Sequence, residues 1–380
     1  MEERKIKLFV DAHALDKEFQ GTQTFICGLY NALIKKYSDV LDIYFGANDL
    51  RKVASVFPDV DASHILPYKK SKSKFLRLFT DIPHYVKKFQ FDFAHFQNIS
   101  LQQQVIAKNI VTLHDIIFDD FPKEFPAGYR QSRNFLFKRS LRQATVKTSV
   151  SNYSRERISQ RYKITAEEIN VIPNGADDLL TSCNLSRAEA TISIKQKFGF
   201  ENFILSVGRI EPRKNHLLLL DKYLQLDQLK RDIPLVFVGR KSIDVPELQN
   251  RISSLGNEQR KMFFWIEQVD RQDLIMLYKA CRFFVYPSKA EGFGIPPLEA
   301  AVCKTPVLCS NATAMKDFAF FSPYVFDPNN EKEFEQKLLL MINTPPNETF
   351  MNQVSAEILN KYSWERSADI FYELLIKNKK

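Results

Sequence analysis

The sequence predicts an α/β fold in two domains, each a parallel β-sheet flanked by helices, and three observations carry that expectation. A length of 380 residues corresponds to about two domains. Short apolar runs of strand length alternate with helical patterns through both halves, the order that parallel sheets require. Composition turns polar between Pro173-Asn174-Gly175 and Ser186, which sets the expected domains at 1–180 and 186–361. Hydrophobic residues at 44% are enough to fill two cores, so wholesale disorder is excluded.

Residues 5–10 alternate and then run apolar, a buried strand ending at Asp11. Gln20-Gly21-Thr22 reads as a turn. Phe25, Ile26, Leu29, Tyr30, Leu33 and Tyr37 then follow at helical spacing. Segments 43–45, 91–96 and 110–113 are further strands. The last of these ends in His114-Asp115, and a polar pair at the C-terminal end of a parallel strand points into the crevice where α/β proteins bind ligands. His95-Phe96-Gln97, closing the strand before it, faces the crevice by the same logic. Residues 127–143 form a basic helix, 148–151 a strand, 154–162 a helix and 169–172 a strand. In the second half, strand 203–207 ends in Gly208-Arg209, with Lys214 and Asn215 close behind. Gly208 is expected to relieve crowding there and Asn215 to cap a leucine-rich helix. Strands 235–238, 263–266, 283–286 and 306–309 continue the sheet, with a helix at 272–280. The end of the chain, 331–343 and 350–377, is helical, with its last helix around 364–376.

The most informative stretch is 291–299, reading Glu-Gly-Phe-Gly-Ile-Pro-Pro-Leu-Glu. Pro296 and Pro297 are expected to open a helix, because proline lacks an N–H where the first turn leaves it unpartnered. Gly292 and Gly294, on either side of Phe293 and ahead of Ile295, let the backbone approach a ligand and adopt positive φ. Free N–H groups at a helix start, with the positive end of the macrodipole, suit a phosphate. Glu291 precedes the turn, and Glu299 is placed in the first helical turn. Either carboxylate alone reads as an acid offsetting a helix dipole; together they read as acceptors for sugar hydroxyls beside a phosphate. Arg209 and Lys214 offer cations that neutralise a diphosphate without a metal. Asp119-Asp120 is a bare doublet that lacks the D-x-D pattern.

Two glutamates eight apart around Gly-Phe-Gly resemble the E-x7-E signature of retaining nucleotide-sugar glycosyltransferases of the GT-B, family 4-like type. The strand, glycine turn and helix around Gly21 resemble the opening of that family's N-terminal domain, with Gln23 where the family often has a second glycine. Pro173-Asn174-Gly175 resembles its interdomain junction. The resemblance implies two Rossmann-like domains facing across a cleft, with the last helix, 362–380, packing back on the N-domain. It implies that Glu291 holds donor-sugar hydroxyls, that Glu299 holds the nucleotide ribose and that His114 lies beside the transferred sugar. Arg209, Lys214, Gly21 and the backbone of Gly292, Phe293, Gly294 and Ile295 would meet the diphosphate. No cofactor and no metal are expected, the nucleotide sugar being a substrate. Front-face attack by the acceptor hydroxyl would retain the anomeric configuration. The wording Glu-Pro-Arg-Lys-Asn at 211–215 resembles mannosyl- and rhamnosyltransferases of bacterial surface polysaccharide, which implies GDP-mannose and a lipid-linked oligosaccharide acceptor. An epimerase or phosphorylase on the same architecture is the nearest alternative.

The formal net charge of +9 is unevenly placed: 27 Lys and Arg against 19 Asp and Glu through Gly175, then 27 against 26. A basic first half fits an anionic partner on one side. Nucleic acid is not expected, since no RRM, KH or zinc pattern is present. Residues 67–89 carry Lys69, Lys70, Lys72, Lys74, Arg77, Lys87 and Lys88 among aromatics, with Asp81 the single acid. That stretch reads equally as a solvated basic helix or as an attachment to anionic head groups, at about 1 kcal/mol per well-placed cation. Pro83 is expected to break it into two short pieces. No apolar run approaches the roughly 20 residues of a membrane span, and the first residues lead into a strand rather than a signal sequence. Five scattered cysteines fit reduced thiols. The expected location is therefore the cytoplasm, peripheral on the inner membrane face. A Rossmann dehydrogenase would need G-x-G-x-x-G, which Gly21-Thr22-Gln23-Thr24 lacks.

Overall fold

Two all-parallel sheets organise the chain. The computed structural model describes residues 4–16, 21–69, 76–100, 107–179, 185–226 and 232–379. It divides into one unit of Met1–Gly175 with Tyr362–Lys380, and a second of Ala176–Lys361. The first unit holds β1 (Ile6–Asp11), β2 (Leu41–Ala47), β3 (Ile65–Pro67), β4 (Phe93–Gln97), β5 (Lys108–Thr112), β6 (Val146–Ser149) and β7 (Ile169–Val171). Their order across the sheet is β3-β2-β1-β4-β5-β6-β7. The second unit holds β8 (Ile204–Val207), β9 (Leu235–Val238), β10 (Phe263–Ile266), β11 (Phe283–Tyr286), β12 (Val307–Ser310) and β13 (Val325–Phe326), ordered β10-β9-β8-β11-β12-β13. Each order reverses once, between β1 and β4 and between β8 and β11. At such a switch point the connections leave in opposite directions and open a crevice at the strands' C-terminal ends.

In the first unit, Phe9, Ala94, Phe96, Val111 and Leu113 pack with Ile82, Val86, Phe137, Leu141 and Ile158 in one apolar cluster. The helix Gly21–Tyr37 carries the closing helix of the chain, Trp364–Lys377. Gly28 makes this docking sterically feasible: a Cβ there would lie 2.0 Å from the Trp364 indole. Tyr37 stacks on Tyr372 at 4.1 Å and donates to Asp369 at 2.7 Å, and Ser367 donates to the Pro173 carbonyl at 2.7 Å. The last helix thus packs back on the N-terminal domain.

Several local expectations are corrected. Gly21 is the first residue of the helix Gly21–Tyr37, not part of a turn ahead of it. Gln20 lies outside the described residues. The basic stretch does form two pieces, Leu76–Phe79 and Asp81–Phe89, but the break falls at Thr80. Pro83 sits in the first turn of the second piece, where its missing N–H costs nothing. Lys70, Lys72, Lys74 and Phe75 lie outside the described residues. Arg77 is no surface cation: it holds buried Asp11, with Nη2 2.9 Å from Oδ2, alongside the Tyr68 hydroxyl at 2.8 Å. The last helix, by contrast, starts where expected, at Trp364, and the Ser363 hydroxyl caps it by accepting from the Arg366 N–H. Strands β3 (Ile65–Pro67) and β13 (Val325–Phe326) were not read from the sequence; β13, of two residues, is too short to leave a period.

Candidate active site

Strand β8 ends at Val207 beside Tyr286, the last residue of β11, so the switch point of the second sheet lies between Gly208 and Ser288. Two segments 75 residues apart meet there. The 3-10 turn Pro212–Lys214 is tied to the loop after β11 by Lys289 N–H to Arg213 O, 2.7 Å, and by Arg213 Nη1 to Ala290 O, 2.6 Å. The side chains of both segments then converge on one carboxylate. Glu291 Oε1 accepts from Lys214 Nζ at 2.6 Å, from the Ser288 hydroxyl at 2.6 Å and from the Tyr286 hydroxyl at 2.9 Å. Its Oε2 accepts from Arg213 Nη1 at 3.2 Å, while Arg213 Nη2 pairs with Glu211 at 2.5 Å. Two acids and two bases, all largely buried, therefore balance.

Burial opposes the ionisation of Glu291, but Lys214 and then Arg213 outweigh it and hold the carboxyl at about 2. Burial moves Lys214 the other way, lowering its pKa, and Glu291 offsets this in part. Lys214 was expected to offer a cation to a diphosphate. Among the described residues it spends two of its three Nζ hydrogens, on Tyr286 and Glu291. Arg209 differs: it is exposed, and among the described residues nothing pairs with it. The Lys214 stem runs beside Gly208, where a Cβ would make ordinary contact at 3.7 Å. The crowding expected at Gly208 belongs to Gly239, where a Cβ would fall 2.0 Å from the Gly208 carbonyl oxygen. Asn215 occupies the helix cap position in a left-handed conformation, but its side chain makes no cap bond.

The helix after the glycine turn is Ile295–Val302, capped by Gly294 at φ 99°. Glycine is required at this cap by the positive φ and by Met315, whose Cγ would lie 3.1 Å from a Cβ. Because Pro296 and Pro297 lack N–H groups, the helix mouth offers the N–H groups of Gly294 and Ile295, fewer than expected from an ordinary start. Phe293 is buried beside Phe318, and Gly292 is buried before it. Glu299 belongs to the second turn rather than the first. It is buried, and its Oε2 accepts from the Tyr278 hydroxyl at 2.9 Å. Burial raises its pKa to about 7, against the opposing charge of Arg271.

In the first unit, His114 follows β5 and is half-buried. Its Nε2 lies 2.8 Å from Gln97 Oε1, its backbone N–H donates to Asn98 Oδ1 at 3.3 Å, and Phe25 meets the ring edge-on at 5.1 Å. Burial lowers its pKa to about 4, so the imidazole is neutral at pH 7. Asp115 caps the following turn through the Ile117 N–H at 3.1 Å. His95 is a core residue rather than a crevice-facing one: it is fully buried between Tyr30 and Thr112. At Gly21 a Cβ would meet nothing within 4 Å among the described residues. Gln23 is buried and donates to the Ala14 carbonyl at 2.6 Å, a structural task. Tyr286, Ser288, Arg213 and Tyr278 escaped the sequence reading. Arg213 could have been found from its place in Glu-Pro-Arg-Lys-Asn, whereas the other three carry no signal beyond strand or helix spacing.

Comparison with known proteins agrees with this layout. The family described as "Glycosyltransferase Family 4" matches residues 19–178, and "Glycosyl transferases group 1" matches residues 189–357. The chain is 27% identical over 273 residues to the serotype-specific mannosyltransferase WbdA of Escherichia coli, covering 70% of this chain and 33% of WbdA. It thus spans about a third of that relative's length. It is 28% identical over 267 residues to the O-antigen chain mannosyltransferase B of Escherichia coli, covering 68% of each. In fold it is similar to sucrose-phosphate synthase from Thermosynechococcus elongatus, with a TM-score of 0.73 at 18% identity over 98% of this chain and 99% of that one.

Proposed function

The chain belongs to the two-domain GT-B glycosyltransferases, and from that premise we propose that it moves a hexose from a nucleotide-diphosphate sugar to a glycan acceptor. The observation that carries the reading is the balanced Lys214–Glu291–Arg213–Glu211 cluster at a sheet switch point, with Arg209, unpaired among the described residues, and the Gly294–Ile295 N–H groups belonging to the same unit. Arg209 and the remaining Lys214 hydrogen meet the departing diphosphate, which gains about two negative charges as the sugar leaves. The two helix-mouth N–H groups add to this, so the charge is met by fixed donors and no metal is required. Glu299 takes the ribose hydroxyls.

Glu291 is a poor nucleophile. Its Oε1 already accepts three hydrogen bonds and its low pKa reflects strong stabilisation as the anion. Its Oε2, held by Arg213 Nη1 at the longer distance of 3.2 Å, is the oxygen assigned to a sugar hydroxyl. Transfer therefore proceeds by attack of the acceptor hydroxyl on the face the diphosphate leaves, with retention. His114, neutral at pH 7, hydrogen-bonds the transferred sugar.

GDP-mannose is the first candidate donor, in keeping with the mannosyltransferase relatives, and a lipid-linked oligosaccharide the acceptor. An anionic membrane surface is the partner we assign to the basic unit. The helix Ala127–Gln143 has five cations and no acid, and Phe135 on it is 67% exposed; Phe79, on Leu76–Phe79, is 64% exposed. Such a surface lies on the cytoplasmic side of the membrane, where nucleotide sugars are made. Incubation of the purified chain with a panel of nucleotide sugars and a lipid-linked glycan tests the reading. Release of nucleoside diphosphate together with an axially linked mannosyl product by NMR is expected. An inverted product, or a changed sugar in the absence of acceptor, would refute it.

A further inference from the structure

His114 does not stand alone. Its Nε2 lies 2.8 Å from Gln97 Oε1, and the Gln97 amide nitrogen is 3.4 Å from His95 Nε2. His95 in turn meets the Tyr30 hydroxyl through Nδ1 and the Thr112 hydroxyl through Nε2, the latter at 2.7 Å. Thr112 continues to the Thr148 hydroxyl at 2.6 Å. Gln97, His95, Thr112 and Thr148 are buried, so each polar atom must find its partner inside this chain of contacts. On the opposite side, Phe25 packs edge-on against His114, His95 and Trp364. The closing helix of the chain thereby abuts the same aromatic ring that braces the histidine.

We propose that Gln97 is a positioning residue that fixes the tautomer of His114: the amide oxygen accepts Nε2–H, so Nδ1 is presented as a lone-pair acceptor toward a donor-sugar hydroxyl. The assignment follows from what each atom can do. An amide oxygen only accepts, so an imidazole nitrogen facing it at 2.8 Å carries the hydrogen. Among the described residues no protein group engages Nδ1. A neutral ring has one donor and one acceptor, and the donor is spent on Gln97. His114 therefore recognises a substrate group that donates, a hydroxyl, and rejects an analogue in which that hydroxyl is methylated or replaced by fluorine. The Phe25 and Trp364 contacts keep the ring in the plane where this holds.

The inference rests on His114 meeting the donor sugar, and its test separates the two ideas. Histidine-selective 15N labelling reads the tautomer of each of the six histidines directly in the free wild-type chain, and loss of one signal in His114→Asn assigns it. The expected result is an Nε2–H tautomer at His114. Gln97→Leu should give mixed or Nδ1–H character there, with KM for the donor rising more than kcat falls and kcat/KM down about tenfold. Gln97→Glu, which can still accept from Nε2–H, should restore the tautomer and most of kcat/KM. An Nδ1–H tautomer in the wild type overturns the proposal, as does an unchanged tautomer in a folded Gln97→Leu variant. Full turnover by His114→Asn would instead remove the sugar-binding role of His114 while leaving the tautomer assignment standing.

Discussion

Lys214 Nζ donates to Glu291 Oε1 at 2.6 Å, and the pair lies buried at the point where the second sheet reverses its strand order. Breaking a buried pair from one side leaves an uncompensated charge and costs roughly 3–5 kcal/mol, whereas removing both charges is close to neutral. Glu291→Gln is therefore expected to lose several kcal/mol in urea denaturation. Lys214→Met combined with Glu291→Gln should recover most of that loss. Neither protein should transfer sugar, so stability and turnover part company in the double variant. Restored turnover there would show that the pair is architectural.

Glu291 also sets an acid limit. Its folded pKa, about 2, lies below the ordinary 4.5, so its contribution to stability is present above pH 4.5 and is lost as pH falls through about 2. Melting temperature followed from pH 6 to pH 3 should decline, and the slope should flatten in the Lys214→Met, Glu291→Gln protein.

Glu299 behaves in the opposite sense. Its pKa is raised to about 7, so the folded chain keeps a proton that the unfolded chain releases near 4.5. Its contribution to stability is full below pH 4.5 and is lost as pH rises through about 7. Ribose hydroxyls need the ionised carboxylate as acceptor, so KM for the nucleotide sugar should fall as pH rises from 6 to 8. Glu299→Gln should flatten that limb; an unchanged pH profile in this variant would remove Glu299 from nucleotide binding.

The closing helix offers a test of packing alone. Gly28→Ala places a methyl group 2.0 Å from Trp364 and should cost roughly 1–3 kcal/mol by overpacking. Trp364→Ala should cost about 3–5 kcal/mol. In the double variant the added methyl group finds room, so the two losses should fall short of additive in thermal denaturation.

Membrane attachment through the helix Ala127–Gln143 predicts a charge-dependent affinity. Arg139 and Arg142 are exposed, and each is expected to contribute about 1 kcal/mol toward anionic vesicles. Replacing both by alanine should weaken co-sedimentation with phosphatidylglycerol vesicles more than tenfold while leaving transfer to a soluble glycan unchanged. Equal sedimentation would assign the charge to solvation.

Much of the fold was legible because its signals are local. The strands Leu235–Val238, Phe263–Ile266 and Phe283–Tyr286 and the helices Ala127–Gln143 and Glu331–Asn343 have clear apolar runs or periods and clear stops. Short strands such as Val325–Phe326 leave no period to read, and Pro83 misleads because a proline in a first turn looks like a break. The site was legible as a set of residue types, not as a network. Sequence places Lys214 and Glu291 at the ends of two strands, but that they spend charge on each other depends on β8 and β11 being neighbours. The roles of Tyr286 and Ser288 follow from the same adjacency. Glu299 slipped from the first turn to the second because the helix begins at Ile295, ahead of the prolines.

Arg209 gives the most direct test, because it is exposed and unpaired among the described residues, so its removal leaves the fold intact. Calorimetric titration of GDP, UDP and ADP into the wild type and Arg209→Ala isolates the diphosphate contact. The account predicts that the wild type binds at least one of these diphosphates and that Arg209→Ala binds it at least tenfold more weakly, with an unchanged melting temperature in the absence of nucleotide. Equal affinity in the two proteins, or no binding of any nucleoside diphosphate by the wild type, would contradict it.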